Sequence, residues 1–346
     1  MLLAGITFLL LYFSSDDLNY EDLREIFRTC NIWWISVAVG CMLLYIVFEA
    51  VALHIIMRRF GYRKKIASSL AYASSDVYYS GLTPSATGGQ PASAFYMIRD
   101  GIPGGTACFA LVFNLLCYTA ALLLIGVVVL ALNFSMFLSF SFWVKFFIIV
   151  GFLAQLMLML LFVACITHPG VVLRVGNFCV SLLSRIRIIK NEQKWRDKVI
   201  DSVKKYRGCF ACFKQHRGLF LQVLFCNVAQ RVSLILVSVF VCLSMANCSP
   251  WDVFSMQTFA MIGYNSIPLP GGSGAFEFLY LRIYEGVFSA EFTLIAMLVT
   301  RVISYYLSIL INGIYTMLYH AFAPSAKVAL SETETDSKGK EDVRDE

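Results

Sequence analysis

Four ionisable residues stand inside otherwise apolar stretches of the chain: Asp76, Arg231, Glu277 and Arg301. A charged side chain at the centre of a bilayer costs about 2.5–3.5 kcal/mol on insertion scales, so such residues mark pairing, proton handling or a charged ligand. Two acids and two bases can balance as buried pairs that tie helices together. They can also divide the work. A guanidinium matches the oxygens of a phosphate with a planar fork of donors, while a carboxyl meets a cationic group or a proton. The residue types allow both readings.

Asp76 precedes, and Glu277 follows, a break in the apolar pattern. The first break runs Thr83-Pro84-Ser85-Ala86-Thr87-Gly88-Gly89-Gln90-Pro91, and the second Ile267-Pro268-Leu269-Pro270-Gly271-Gly272-Ser273-Gly274. Each proline removes an amide donor and each glycine pair loosens the backbone, so no single helix runs through either break. The apolar pieces on either side are shorter than the about 20 residues that a span needs. Segments 67–101 and 253–288 are therefore expected to be pairs of half-helices, each pair meeting at a loop within the protein. Pro91 suits the first position of one returning half-helix, and Ser273 or Gly274 can start the other. Helix N-termini offer unpaired amides and partial positive charge, which suit a phosphate. Ser85, Thr87 and Ser273 add hydroxyl donors, and Gln90 an amide. Gly88, Gly89, Gly271 and Gly272 allow a ligand to approach the backbone; they equally allow close packing at a turn.

The elements that hold these residues follow from composition and charge. The chain has 346 residues, 59% hydrophobic and 14% charged, against the 45–50% and about 25% of soluble domains. That composition predicts an all-α polytopic membrane protein. Full spans are expected at Ile32 to Met57, Gly105 to Leu132, Ser141 to Ile166, Leu219 to Ala246 and Glu291 to His320. Met1 to Phe13 is apolar but short for a span and lacks the basic flank and cleavage site of a signal peptide; a sixth span is expected here, completed either by residues beyond Phe13 or by an earlier start. Ser14 to Asn31 is acidic, whereas Arg58, Arg59, Arg63, Lys64 and Lys65 form a basic loop. Arg174 to Arg217 holds twelve Lys and Arg against three acids. Both basic segments are expected in the cytoplasm; part of the second, Glu192 to Phe213, is periodic enough to lie on the membrane surface.

The count then makes both broken segments re-entrant hairpins, the first from the cytoplasmic face and the second from the opposite face. Residues 1–322 are read as one domain of about six spans and two hairpins, in two inverted repeats of about 1–132 and 141–320. The polar tail, 323–346, is expected to be disordered and cytoplasmic, as is the N-terminus to be cytoplasmic. Inverted repeats with Gly/Pro breaks in corresponding positions point to a transporter-like fold with a site near the midplane. Asn114, Asn227, Gln230 and Asn265 either line that site or bond between helices. Glu49 and His54 are expected near the end of their span, paired locally or snorkelling.

Several function classes fall away. The sequence has no Walker A motif, no Gly-x-Ser-x-Gly elbow and no zinc signature, so neither a metal nor a cofactor is expected. Cys209, Cys212 and His216 form one isolated CxxC, and the eleven cysteines are otherwise scattered as small hydrophobes. The charge excess of +6 resides in loops and reports orientation rather than nucleic-acid binding.

The stretch Thr83 to Pro103, together with Ile267 to Glu277, resembles the membrane domain of lysylphosphatidylglycerol synthase, the multiple peptide resistance factor, and its stand-alone flippase-like relatives. The likeness covers about residues 1–320. It implies a bacterial inner-membrane flippase for phosphatidylglycerol or its aminoacyl derivative, with a role in resistance to cationic antimicrobial peptides. In full-length members a separate cytoplasmic domain makes the lipid from lysyl-tRNA; these 346 residues show no such domain, so a separate lipid-modifying synthase becomes an expected partner. Family members of this length are also called phosphatidylglycerol lysyltransferases, and other relatives are associated with polyprenyl-linked glycans. An integral-membrane transferase using Asp76 or Glu277 as base therefore stays open beside the flippase reading, as does homo-oligomerisation.

Overall fold

The computed structural model describes residues 30–83, 86–167, 170, 218–265, 267 and 272–322. Expectations for Met1 to Phe13, Glu192 to Phe213, the Cys209/Cys212 pair and the tail 323–346 fall outside these residues, as do Ser85 and Gly271. Among the described residues, five helices are long and apolar enough to cross a membrane. They are α1 (Ile32–Arg59), α4 (Gly104–Leu132), α6 (Phe142–Thr167), α7 (Gly218–Met245) and the 33-residue rod Ala290–Phe322. At 1.5 Å per residue, the 28 residues of α1 reach about 42 Å, more than the ~30 Å hydrocarbon layer. Asn31 caps α1 by accepting from Trp33 N at 3.0 Å, and Arg58 and Arg59 close its last turn, where the helix dipole favours cations. The loop between α4 and α6 holds a short helix, α5 (Phe134–Ser139).

Both broken segments form hairpins. The first is α2 (Ile66–Leu82) and α3 (Gly89–Arg99), the second α8 (Pro250–Asn265) and α9 (Ala275–Tyr284). Tyr72 near the start of α2 donates to Asp100 just past α3 at 2.6 Å. Tyr284 at the end of α9 donates to Gln257 in α8 at 3.3 Å. Each hairpin thus starts and finishes at one end of the bundle. Lys64 of the basic loop reaches Asp100 O at 2.6 Å, which puts both feet of the first hairpin beside that loop. Asn31 N donates to Ser244 O at 2.9 Å, so α1 begins where α7 finishes and the two long helices pack antiparallel. One hairpin hangs from the end of α1, the other from the end of α7, and they therefore enter from opposite ends.

The last rod consists of α10 (Ala290–Arg301), a π-helical stretch over Val302–Leu307, and α11 (Ser308–Phe322). A π stretch inside an α-helix often marks a functional position. Here it directly follows Arg301. The first hairpin packs on α11, and the second on α6 and α4. The first contact is close because Gly81 and Gly313 carry no Cβ: one at Gly81 would meet Ile309 at 2.6 Å, and one at Gly313 would meet Tyr78 at 2.6 Å.

Two apolar cores fill the bundle, one at each end. Ala50 to Met57, Ala107 to Cys117 and Leu219 to Cys226 contribute to the core at the basic end. Ala38 to Ile46, Leu122 to Val129 and Ile235 to Cys242 contribute to the other. The interval between them holds the buried polar residues Glu49, Thr119, Asn227, Gln230 and Arg231. α7 runs through the middle, with 56% of its most apolar window buried, whereas α6 lies at the rim with 17%.

Candidate functional site

The hairpin tips meet in that polar interval. A cavity of ≈ 420 Å³ is lined by Ser80, Gly81 and Ala86 of the first tip and by Tyr264, Asn265 and Gly272 of the second. Tyr45 of α1, Tyr118 of α4 and Arg231 of α7 complete its polar wall. Its size falls within the roughly 300–1,000 Å³ of small-molecule sites.

Arg231 is the charge in the cavity wall. It is 2% exposed. Its guanidinium carbon stands 3.8 Å from the Tyr118 ring centroid and 5.3 Å from that of Tyr45. Nη1 donates to Tyr118 Oη at 3.0 Å. Nε and Nη2 have no hydrogen-bond partner, and the side chain makes no ion pair among the described residues. Aromatic faces stabilise a desolvated cation by ~2 kcal/mol. Each buried donor left unmade costs about 1–3 kcal/mol. The rings therefore leave Arg231 short of what an anion at Nε and Nη2 would supply.

Arg301 is placed differently. Its Nε lies 3.3 Å from Glu277 Oε1, an ion-pair contact with both side chains buried, and Nη2 donates to Ser273 Oγ at 2.8 Å. Glu277 Oε2 accepts from Gly274 N at 2.6 Å, so the acid caps its own helix. Gly274 adopts φ +86 and Gly272 φ +66, a left-handed backbone that glycine provides without strain. Arg301 also lies 4.4 Å from the Tyr305 ring centroid and lines a smaller pocket of ≈ 120 Å³ with Gln257, Tyr264 and Phe276.

In the first tip, Asp76 takes the position beside the returning helix. Gln90 Nε2 donates to its Oδ2 at 2.7 Å and Ser80 Oγ to its Oδ1 at 3.1 Å. A Cβ at Gly89 would overlap the Asp76 carboxylate, so only glycine fits there. Thr83 closes the tip: its Oγ1 donates to Tyr79 O at 2.7 Å and accepts from Gly88 N at 2.8 Å. Thr87 is exposed on the tip surface. α3 starts at Gly89, two residues before Pro91, because proline is tolerated anywhere in a first turn that lacks intrahelical N–H partners. Each returning half-helix thus starts against a carboxylate of the protein itself, Asp76 at one and Glu277 at the other.

Three features were not apparent from the sequence. Glu49 does not snorkel: it is 6% exposed and accepts from Gln230 Nε2 at 3.0 Å. α1 runs on to Arg59, and its antiparallel register with α7 brings Glu49 level with Gln230 and Arg231. Asp100 is buried and accepts from Tyr72 and Tyr319, both at 2.6 Å. The tyrosines are the third. Tyr118 and Tyr305, from the last span of each half, each cover an arginine and reach the opposite hairpin tip, at Asn265 Oδ1 (3.4 Å) and Gly81 O (2.8 Å). Of the amides, Asn227 bonds to Asn114 at 3.1 Å between helices, while Asn265 lines the cavity.

Two hairpins from opposite ends thus meet at a buried arginine midway along the spans. No curated protein matches this sequence. Residues 1–311 match the family described as the lysylphosphatidylglycerol synthase TM region, and the chain is a multi-pass membrane protein of that family.

Proposed function

We propose that this protein carries the head group of an anionic phospholipid, of the phosphatidylglycerol or lysyl-phosphatidylglycerol class, between the leaflets of a bacterial inner membrane. The observation that carries the reading is Arg231: a buried guanidinium with two unfilled donor nitrogens in a cavity that both hairpin tips line. A phosphodiester presents the oxygens that such a fork binds. The acyl tails stay in the bilayer while the head group occupies the polar interval. Arg301 is a second phosphate partner if Glu277 exchanges it, with Ser273 and Gly272 in the same tip and Gln90 in the other. The basic loop 58–65 gives the cytoplasmic face, and with it cytoplasmic termini. A separate synthase supplies the aminoacylated lipid, whose arrival outside lowers negative surface charge and so the attraction for cationic peptides.

The test is translocation of a trace fluorescent phosphatidylglycerol in proteoliposomes, read by chemical quenching of the outer leaflet. Loss of a charge-assisted contact worth about 1.5–3 kcal/mol lowers the rate about 10- to 150-fold in Arg231→Gln. An unchanged rate with intact folding overturns the assignment. Competition by a polyprenyl phosphate but not by phosphatidylglycerol would move the cargo to lipid-linked glycans. Purified protein that lysylates phosphatidylglycerol unaided would move the activity to a transferase.

A further inference from the structure

The buried acids of the first half have no arginine bonded to them. Glu49 and Asp76 are both at least nine-tenths buried, and their carboxyl groups lie within hydrogen-bonding reach of each other. Gln230 donates to the outer side of Glu49, and Gln90 and Ser80 to Asp76. Each acid is held by neutral donors on one side and by the other acid on the other. An ionised carboxylate only accepts, so two carboxyls share a hydrogen bond only when one carries a proton. Arg231 of α7 lies near Glu49 of the pair, and Tyr45 of α1 near both acids; Tyr118 of α4 and Tyr264 of α8 surround that arginine. His54, a turn further along α1, is engaged with Ser69 at 3.2 Å.

Charge balance then links pair and cavity. With one proton on the pair, its remaining negative charge offsets the Arg231 cation. An anion on Arg231 leaves this buried cluster with one net negative charge, which is strongly disfavoured at bilayer depth. A proton from the aqueous phase, placed on the second carboxylate, restores neutrality and leaves again when the anion does. We propose that Glu49 and Asp76 form a proton site coupled to Arg231, holding one proton when the cavity is empty and a second when an anion is loaded. The second step rests on the reading of the cavity as an anion site.

The test uses the full chain in nanodiscs of phosphatidylcholine, with short-chain phosphatidylglycerol as probe. Infrared difference spectroscopy on the lipid-free protein at neutral pH is expected to show a protonated-carboxyl stretch, lost in Glu49→Gln and in Asp76→Asn. Its absence in the wild type, or its survival in both variants, overturns the shared proton. Calorimetric titration in two buffers of different ionisation enthalpy is expected to give about one proton taken up per lipid, with binding about tenfold weaker per unit rise in pH. The double variant Glu49→Gln/Asp76→Asn is expected to bind without uptake and with a flat pH profile. Binding without uptake in the wild type, or uptake retained in the double variant, overturns the coupling. Absence of lipid binding removes the coupling together with the anion reading, whereas the infrared band alone still decides the shared proton. The isosteric single variants keep that decision available if the double variant does not fold.

Discussion

In the second hairpin, Glu277 caps its own helix through Gly274 N and pairs with Arg301, which in turn holds Ser273. In the first, Asp76 is held by Gln90 and Ser80 and lies against a second acid, Glu49. Both returning half-helices start beside a carboxylate, and both arginines lie under a tyrosine. Between these tips, acid and arginine nevertheless make a direct ion pair only in the second. A buried ion pair held by further hydrogen bonds, here Gly274 N to Glu277 and Arg301 to Ser273, is fixed in place, and breaking it leaves an uncompensated charge. A buried guanidinium with two donor nitrogens unfilled carries a cost that a ligand relieves. The second tip therefore reads as a clamp, and the first, with Arg231 above it, as the place where charge comes and goes.

The largest expected effect breaks the clamp. Arg301→Met strands Glu277 in the interior and costs about 3–5 kcal/mol of stability, seen as a lower thermal midpoint in detergent. Adding Glu277→Met recovers most of the loss. Arg231→Gln separates no direct ion pair, and a second proton on Glu49 and Asp76 balances the lost cation, so the variant keeps wild-type stability while losing translocation. Equal destabilisation by both arginine variants would erase the distinction between the tips.

The glycines sharpen it next, at about 1–3 kcal/mol. Gly89 is limited by space, since a Cβ there meets Asp76, whereas Gly274 has open space and is limited by its φ of +86. Asparagine tolerates a left-handed backbone better than alanine does. Gly274→Asn is thus expected to be milder than Gly274→Ala, with the order reversed at Gly89, where the larger side chain is worse. Chemical denaturation of the four variants checks the order; the same ranking at both sites would count against it.

The smallest effect separates the two tyrosines. Tyr305→Phe deletes the 2.8 Å bond to Gly81 O and costs about 0.5–1.5 kcal/mol of stability. Tyr118→Phe deletes the 3.0 Å bond to Arg231, leaving it a further empty donor. It is expected to alter phosphatidylglycerol binding more than the unfolding midpoint, and the converse result would make Tyr118 a packing residue.

Much of the fold was legible because membrane helices follow from local properties. Length, apolarity and the position of basic loops placed five spans to within two residues or so of their observed bounds. Pro84 and the paired glycines placed the first hairpin, and the Pro-Gly-Gly run the second. The candidate site was legible only as a set of costly residues. Asp76, Arg231, Glu277 and Arg301 stood out because charge is rare in apolar stretches. Glu49 lies in an apolar span too, but its partner follows from the register of α1 against α7 and not from its place in the span. Tyr118 and Tyr305 gave no signal, and Gln230 left open whether it lines a site or bonds between helices, because amphipathic side chains in apolar helices look the same whether they face lipid, core or cavity.

The sequence by itself determined that this chain crosses a membrane several times, breaks twice at Gly/Pro loops and keeps two acids and two arginines inside, because hydrophobic length, backbone permissiveness and the cost of buried charge are properties of neighbouring residues. Only the tertiary structure decided how those charges are shared. Glu49 and Gln230 are 181 residues apart and meet through the antiparallel register of α1 and α7. The turn of α10 that carries Arg301 gives it to Glu277, while α7 aims Arg231 at two aromatic rings and an open cavity. Register and helix rotation arise from packing between distant segments, and that packing makes one arginine a clamp and leaves the other to be filled.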